Sequence, residues 1–512
     1  MSIKFSLSDG TGRAPRPVQA EAMAWLESVW DKNKFKVMQL PVGAGKSWVA
    51  RTIQRATAAA VVTPSNILVR QYRHDYPEVN HLIGRKHYSC TSFAGLDCQS
   101  VSEAGISTKL TGDGTKTSYC TDCPYVAAKI RAKTEGTFYN PMSLMYSSRG
   151  DRVPGSVLVV DEAHSLLGQL KELASKTFWK SEVGLPAKID SEIDILNWLE
   201  RILPPLKTQQ ARYTEAMGKA ASKAQRTELA ERLTEFEDTI AAIYSIRQGI
   251  KEDPQNYAFW YGERKLRGKI EQCLNIRPLK LPRHIAGQFF SRYDHVVLMS
   301  GTILKYDREE LTTTNPYSFI DMPSPIPREN RLVHHEPLPF AVNFQTDPAA
   351  LARCILKAAR DNPGPTLVHV TYGWATKLAP YMPSDVIIND KDSKDAALAK
   401  FKKEGGIWLA AAASEGIDLP YDLCRTNIIP ILAYPNMMDE VVRRRMAHHD
   451  GQDWYALEML KTLIQQAGRS TRAADDFSKT IVMPPQFARV FKQYRHLLPA
   501  SFTEAVILKG DK

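Results

Sequence analysis

The sequence predicts an α/β chain with two parallel-sheet units, the first interrupted by a four-cysteine insert and a helical insert. Three observations carry this. The apolar run 36–42 (KVMQLPV) passes into GAGKS and then a helix-like stretch. The run 156–160 (SVLVV) ends in Asp161-Glu162-Ala163-His164. From 364 onward apolar runs (TLVHV, GIWLAAA, TNIIPIL, KTIVM) alternate with helical stretches. Short β-rich runs separated by helix-length segments are the pattern of a sheet wound with crossover helices.

Residues 41–47, Pro-Val-Gly-Ala-Gly-Lys-Ser, read as a phosphate loop. Gly43 and Gly45 let the backbone close around phosphates, and the loop N–H groups and helix N-terminus face the negative charge. Lys46 would reach the β/γ-phosphates of ATP and Ser47 would ligate Mg²⁺. Leu40 stands where GxxxxGK[ST] has its first glycine. The bland alternative is a turn followed by a chance Lys-Ser pair. The run 59–63 (AAVVT) is the next strand.

Residues 84–135 are rich in Gly, Ser, Thr and Cys and lack periodicity, so something other than an apolar core must hold them. Four of the seven cysteines, Cys90, Cys98, Cys120 and Cys123, fall here as C-x₇-C-x₂₁-C-x₂-C. Four thiolates can hold a [4Fe–4S] cluster or one Zn²⁺. A zinc ribbon more often shows two short knuckles, and here there is one. Cys273, Cys354 and Cys424 are isolated and read as ordinary buried thiols.

At the end of the strand 156–160, Asp161 would hold Mg²⁺ through water and Glu162 would polarise the attacking water. An acidic helix cap is the bland alternative. From 165 to about 285 the pattern turns helical. Leu229, Leu233, Phe236, Ile240 and Ile243, spaced 4, 3, 4, 3, make one apolar seam, and a helix through Met217 would pair with it as a hairpin. The run 295–299 (HVVLM) returns to a strand and leads into Ser300-Gly301-Thr302. Residues 320–345 are Pro-rich and read as a linker.

In the second unit, residues 466–472 read Gln466-Ala-Gly-Arg469-Ser-Thr-Arg472. Two arginines three apart share a helix face and can close on a γ-phosphate. A solvated basic helix end is the alternative. The runs Arg443-Arg444-Arg445 and Lys402-Lys403 suit a nucleic-acid backbone or a solvated face equally. Tyr88, Tyr119 and Tyr125 would stack on bases or pack the insert.

Size and composition bound these readings. At roughly 100–200 residues per domain, 512 residues allow three or four domains. Hydrophobic residues at 43% and charged residues at 24% exclude wholesale disorder. Lys+Arg at 67 against Asp+Glu at 56 gives +11, which suits a polyanionic partner. No run approaches the ~18 apolar residues a membrane helix needs. The start, MSIKFSLSDGTGRAPRP, lacks an apolar signal core, so a cytoplasmic protein without a membrane partner is expected.

Taken in order, these motifs resemble the XPD/DinG branch of superfamily 2 DNA helicases, over residues 14 to 485. Arg16-Pro17-Val18-Gln19 is similar to the motif upstream of the loop, with Gln19 as the adenine-reading glutamine. A loop lacking the first glycine is normal there. Thr63-Pro64-Ser65 resembles the motif that touches the DNA backbone, and Val297–Ile303 the one coupling ATP and DNA sites. Ser414-Glu415-Gly416-Ile417-Asp418-Leu419-Pro420 and QAGRSTRAADD match second-domain motifs. Two departures stand out: Pro141 follows Asn140 where the family usually has Tyr, and Met483-Pro-Pro-Gln-Phe replaces an Asp-x-Arg.

The resemblance implies two RecA-like motor domains: residues 1–83, 136–164 and 286–325 form the first, and 326–512 the second. It makes 84–135 an iron–sulfur domain and 165–285 a helical arch. It implies an ATP-dependent DNA helicase moving 5′→3′ on single-stranded DNA and opening forked or tailed duplexes as a monomer. Arg16, Gln19, Gly43, Gly45, Lys46, Ser47, Asp161 and Asp418 would bind ATP and Mg²⁺. Lys46, Asp161, Glu162, Gln466, Arg469 and Arg472 would act in catalysis, and the four clustered cysteines would hold [4Fe–4S] rather than Zn²⁺. The rivals are a translocase that remodels without processive unwinding, and a metal-stabilised single-strand binder with weak ATPase. The compact chain favours a prokaryotic, archaeal or viral version, and DNA repair is one of several pathways that fit.

Overall fold

The computed structural model describes residues 3–510 apart from 65, 93–96, 100–107, 111–115, 119, 121, 148–155, 220–222, 267 and 412–416. Ser65, Tyr119 and Ser414-Glu415-Gly416 therefore lie outside the described residues.

The first sheet has seven parallel strands, in the order Tyr317–Asp321, Phe35–Gln39, His295–Ser300, Val157–Val160, Ala60–Val62, Thr137–Tyr139, Asn80–Leu82. Successive side chains alternate between its faces, as strand geometry requires. Val159 joins the core under the helices Pro17–Val29 and Lys46–Thr57, while Leu158 and Val160 join the core under Ala163–Glu172 and Arg283–Phe290. The second sheet is also seven-stranded and parallel: Ile387–Ile388, Ile407–Ala411, Thr366–Val370, Thr426–Ile429, Lys479–Val482, Val333–His335, Val506–Ile507. The apolar runs of the sequence coincide with these strands. The Pro-rich stretch 320–345 is more than a linker, because it ends one strand of the first sheet and contributes Val333–His335 to the second. Pro141 begins the helix Pro141–Ser147, whose end is capped by Asn140 Oδ1 accepting Ser143 N–H at 2.7 Å. Proline at a first helical position loses no hydrogen bond, so Asn-Pro is locally favourable here.

The region 165–285 is only partly helical. The seam residues lie on the helix Lys223–Glu252, which pairs with Glu192–Lys219 as expected; the Tyr213 and Phe236 rings meet at 5.2 Å. The hairpin rests on a three-stranded antiparallel sheet, in the order Lys176–Trp179, Lys269–Pro278, Tyr257–Leu266. Charged residues along the exposed far ends of the last two strands mask their alternation in the sequence.

One buried charge runs against the general pattern. Lys36, in the strand next to the edge of the first sheet, is fully buried; its Nζ lies 2.8 Å from His295 Nδ1 and 4.9 Å from the Trp30 ring centroid. Burial pulls its pKa from 10.5 down to about 8, although Asp31 acts the other way. A depressed amine binds fewer protons folded than unfolded, so the fold is penalised below about pH 8 and relieved as pH rises to 10.5. Lys36→Met is expected to raise the melting temperature at pH 7, with the gain vanishing above about pH 10.5; thermal melts across pH check it.

The two sheet units meet through a buried ion pair. Lys461 Nζ lies 2.8 Å from Asp307 Oδ1 of the first unit and 2.8 Å from Glu458 Oε1. Asp307 Oδ2 also accepts Leu304 N–H at 3.0 Å, starting the helix Lys305–Thr312 just beyond Ser300-Gly301-Thr302. The arginine run belongs to this joint. Arg443 and Arg444 pair with Glu440; Arg445 is buried and makes a double contact with Asp450 at 2.6 and 2.8 Å. Arg444 also lies over the Phe259 ring of the three-stranded sheet at 5.0 Å.

Candidate functional site

The strands Phe35–Gln39, His295–Ser300 and Val157–Val160 are neighbours, so the phosphate loop, Ser300-Gly301-Thr302 and Asp161-Glu162-Ala163-His164 emerge side by side at their C-terminal ends. This is where open parallel sheets place ligands. Leu40 is buried in the core, its N–H donating to Ser300 O at 2.9 Å, so it anchors the loop from below. Gly43 and Gly45 have φ +81° and +77°. At Gly43 an added Cβ would come within 3.0 Å of Arg472 O from the second unit. A side chain there would strain the loop and wedge the units apart.

Arg16 and Gln19 hold this loop from behind. The Arg16 guanidinium donates to Gly43 O; Gln19 Oε1 accepts Arg16 N–H at 2.8 Å and Gln19 Nε2 donates to Gly45 O at 3.4 Å. Both ends of the Gln19 amide are thus engaged with backbone.

Lys46 Nζ lies 3.1 Å from Glu162 Oε1, and Ser47 follows it at the start of the helix Lys46–Thr57. Asp161 is buried, with Oδ1 accepting Glu162 N–H at 3.0 Å and Oδ2 accepting the Tyr72 hydroxyl at 2.9 Å. The two neighbouring carboxylates diverge. Burial and then the Glu162 charge push Asp161 up to about 6. Burial also opposes ionisation of Glu162, but the Lys46 ammonium, with a smaller contribution from Arg469, outweighs it and holds the group below its ordinary value. Glu162 is therefore ionised throughout the neutral range, as a residue that polarises water must be.

From the second unit, Arg469 Nη1 donates to Ile417 O at 3.2 Å, and Arg472 pairs with Asp418 while its Nη2 donates to the same carbonyl at 3.4 Å. Lys46, Glu162, His164, Gln465, Arg469 and Arg472 line one cavity of about 590 Å³ between the sheets. Gln466 is not among its walls. It is buried against the sheet, its carbonyl accepting Asn427 Nδ2–H at 2.8 Å, and its neighbour Gln465 reaches the cleft instead. Gln465 Nε2 lies 2.7 Å from His164 Nε2, and His164 Nδ1 lies 2.7 Å from Ser300 Oγ. With the amide nitrogen as donor, His164 carries its proton on Nδ1 and Ser300 Oγ is left to donate to Glu162 Oε2 at 3.4 Å. A hydrogen-bond chain thus runs from the second unit to Glu162.

The cysteine insert docks on the edge strand Asn80–Leu82, where Asn80 Nδ2 donates to Ala128 O at 2.8 Å. Tyr88 and Tyr125 meet ring to ring at 5.4 Å, and the Tyr88 hydroxyl donates to His81 O at 2.8 Å; both pack the insert onto the sheet. Cys98 faces Cys123 and Cys120. Burial, Cys123 and, less strongly, Cys120 push its thiol up to about 11, which Arg85 only partly offsets. Cys90 lines a separate cavity with His81, His87 and Arg131. Among the described residues no three His, Cys, Asp or Glu side chains form a ready ligand set. Cys98 and Cys123 are in hydrogen-bond contact, with Cys120 close by.

Residues 366–505 match the helicase C-terminal domain family, and residues 13–185 match the family described as type III restriction enzyme, res subunit. A solved XPD helicase superposes with a TM-score of 0.59 at 12% identity, over 96% of this chain and 99% of that one. The chain has an XPD-like fold. S. tokodaii Xpd4 gives 0.54 at 13% identity, over 97% and 100%, and an apo XPD gives 0.54 at 11%, over 96% and 100%. No helix among the described residues is long and apolar enough to cross a membrane.

Proposed function

We propose that this chain is an ATP-driven helicase that moves along single-stranded DNA, 5′→3′, and opens forked or tailed duplexes. One observation carries the reading. A lysine–carboxylate pair just beyond the strand ends, Lys46 and Glu162, shares its cavity with Arg469 and Arg472 of a second domain. That is the constellation of a nucleotide hydrolysed between two bodies, where closure brings cationic guanidinium groups to the γ-phosphate. Lys46 and the loop N–H groups hold the phosphates, Ser47 and Asp161 hold Mg²⁺ and its water, and Glu162 orients the attacking water. Gln465, rather than Gln466, reports nucleotide state through His164 and Ser300. The joint at Lys461 and Asp307 carries that closure to the rest of the second domain. Strand displacement on forked DNA tests the reading: the protein separates strands with ATP, and the Lys46→Ala variant does not. Intact duplex after full ATP turnover would refute it.

The insert is proposed to hold [4Fe–4S] through Cys90, Cys98, Cys120 and Cys123, supported by the contact of Cys98 with Cys123 near Cys120. Zn²⁺ is the competing occupant. A bound metal would fix a segment too poor in apolar residues to pack alone. Cys120→Ser is expected to lose metal, measured as iron and zinc per chain, and to lose unwinding while ATP binding persists. Unwinding at the wild-type level in Cys120→Ser would refute the ligand assignment.

A further inference from the structure

Tyr72 belongs to none of the motifs set out above, yet it touches the buried carboxylate of the site. It lies on the helix Asn66–Asp75, is 2% exposed, and donates its hydroxyl to Asp161 Oδ2 at 2.9 Å. Its ring is fixed by Phe138 at 4.4 Å and Tyr76 at 6.3 Å, and Tyr76 is itself tied to Asp9 Oδ2 at 3.1 Å. Asp161 is thus gripped at both oxygens, by Glu162 N–H on one and by Tyr72 on the other. Each oxygen accepts one protein hydrogen bond and keeps lone-pair capacity for a cation or its water.

From this geometry we infer that Tyr72 is a positioning residue for divalent-cation binding, fixing the direction of the Asp161 carboxylate at the strand end beside Glu162. Asp161 is buried beside Glu162, and repulsion between the neighbouring carboxylates favours turning it away. A phenol donating to one of its oxygens opposes that rotation and fixes its direction. Partners that orient a metal-binding group in this way contribute about 10–100-fold to metal affinity. The inference rests on the proposed role of Asp161 in holding Mg²⁺.

The test is Mn²⁺ binding to the full chain, read by electron paramagnetic resonance with and without a non-hydrolysable ATP analogue. Tyr72→Phe keeps the ring and deletes the hydroxyl. It is expected to weaken nucleotide-dependent Mn²⁺ binding about tenfold or more, and to raise the Mg²⁺ half-saturation of ATP hydrolysis by a similar factor, with kcat largely recovered at saturating Mg²⁺. Tyr76→Phe, which deletes the neighbouring hydroxyl just past the end of that helix, is expected to leave both unchanged. Wild-type Mn²⁺ affinity in Tyr72→Phe overturns the inference. So does an equal loss in Tyr76→Phe, or loss of a cooperative melt in Tyr72→Phe, since either makes the hydroxyl merely structural. Should the wild type itself show no nucleotide-dependent Mn²⁺ binding, the ATPase reading falls and Tyr72 with it.

Discussion

Glu162→Gln is expected to abolish ATP turnover while leaving nucleotide binding intact. The substitution keeps the shape of the side chain and removes the charge that orients and polarises water. General-base contributions are typically about 10²–10⁴-fold, and a loss in that range is predicted for kcat. Glu162 is suited to the role because Lys46 and Arg469 hold it ionised in a half-buried position. Nucleotide binding survives because the phosphates are held by Lys46 and the loop. Binding of a fluorescent ATP analogue, measured beside steady-state hydrolysis, separates the two effects. Hydrolysis within about threefold of wild type would remove Glu162 from the chemistry.

Arg469→Ala is expected to be at least as severe. An arginine supplied to a γ-phosphate from a second body is worth about 10³–10⁵ in kcat. Arg469 is placed for this by Ile417 O and by its proximity to Glu162, and it lines the cavity opposite Lys46. Arg469→Lys is expected to recover little, since an ammonium cannot reproduce a planar fork. Arg472 differs: it pairs with Asp418, and its backbone N–H donates to the buried Asp476 at 3.1 Å. Arg472→Ala should therefore cost less in kcat than Arg469→Ala. Equal losses would mean that both arginines reach the phosphate after closure.

Much of this site was legible because its chemistry is local in sequence. A strand, a glycine-bearing loop and a helix N-terminus specify a phosphate cradle within a dozen residues, and Asp161-Glu162 sits at the end of an unmistakable buried strand. What was not legible depends on helix phase or on distant partners. Gln465 and Gln466 are adjacent, and only their angular position on the helix Gly451–Ala467 decides between cleft and sheet. The clue lies four residues back: Lys461 and Gln465 share one polar face of a helix otherwise apolar at Leu457, Leu460, Leu463 and Ile464, and both point at the first domain. Tyr72 carries no local signal, since its partner lies 89 positions away. The antiparallel sheet at 257–278 was hidden by its charged distal half, although Gly268 at φ +86° marks the turn. Arg445 reads as a surface charge in the sequence and is a buried anchor in the fold.

The most direct test is steady-state ATP hydrolysis by anaerobically purified protein, with and without single-stranded DNA, against Glu162→Gln as background. Hydrolysis is expected well above that background, rising when single-stranded DNA is added and falling again at high salt as phosphate contacts are screened. Hydrolysis no faster than Glu162→Gln under either condition would contradict the proposed function.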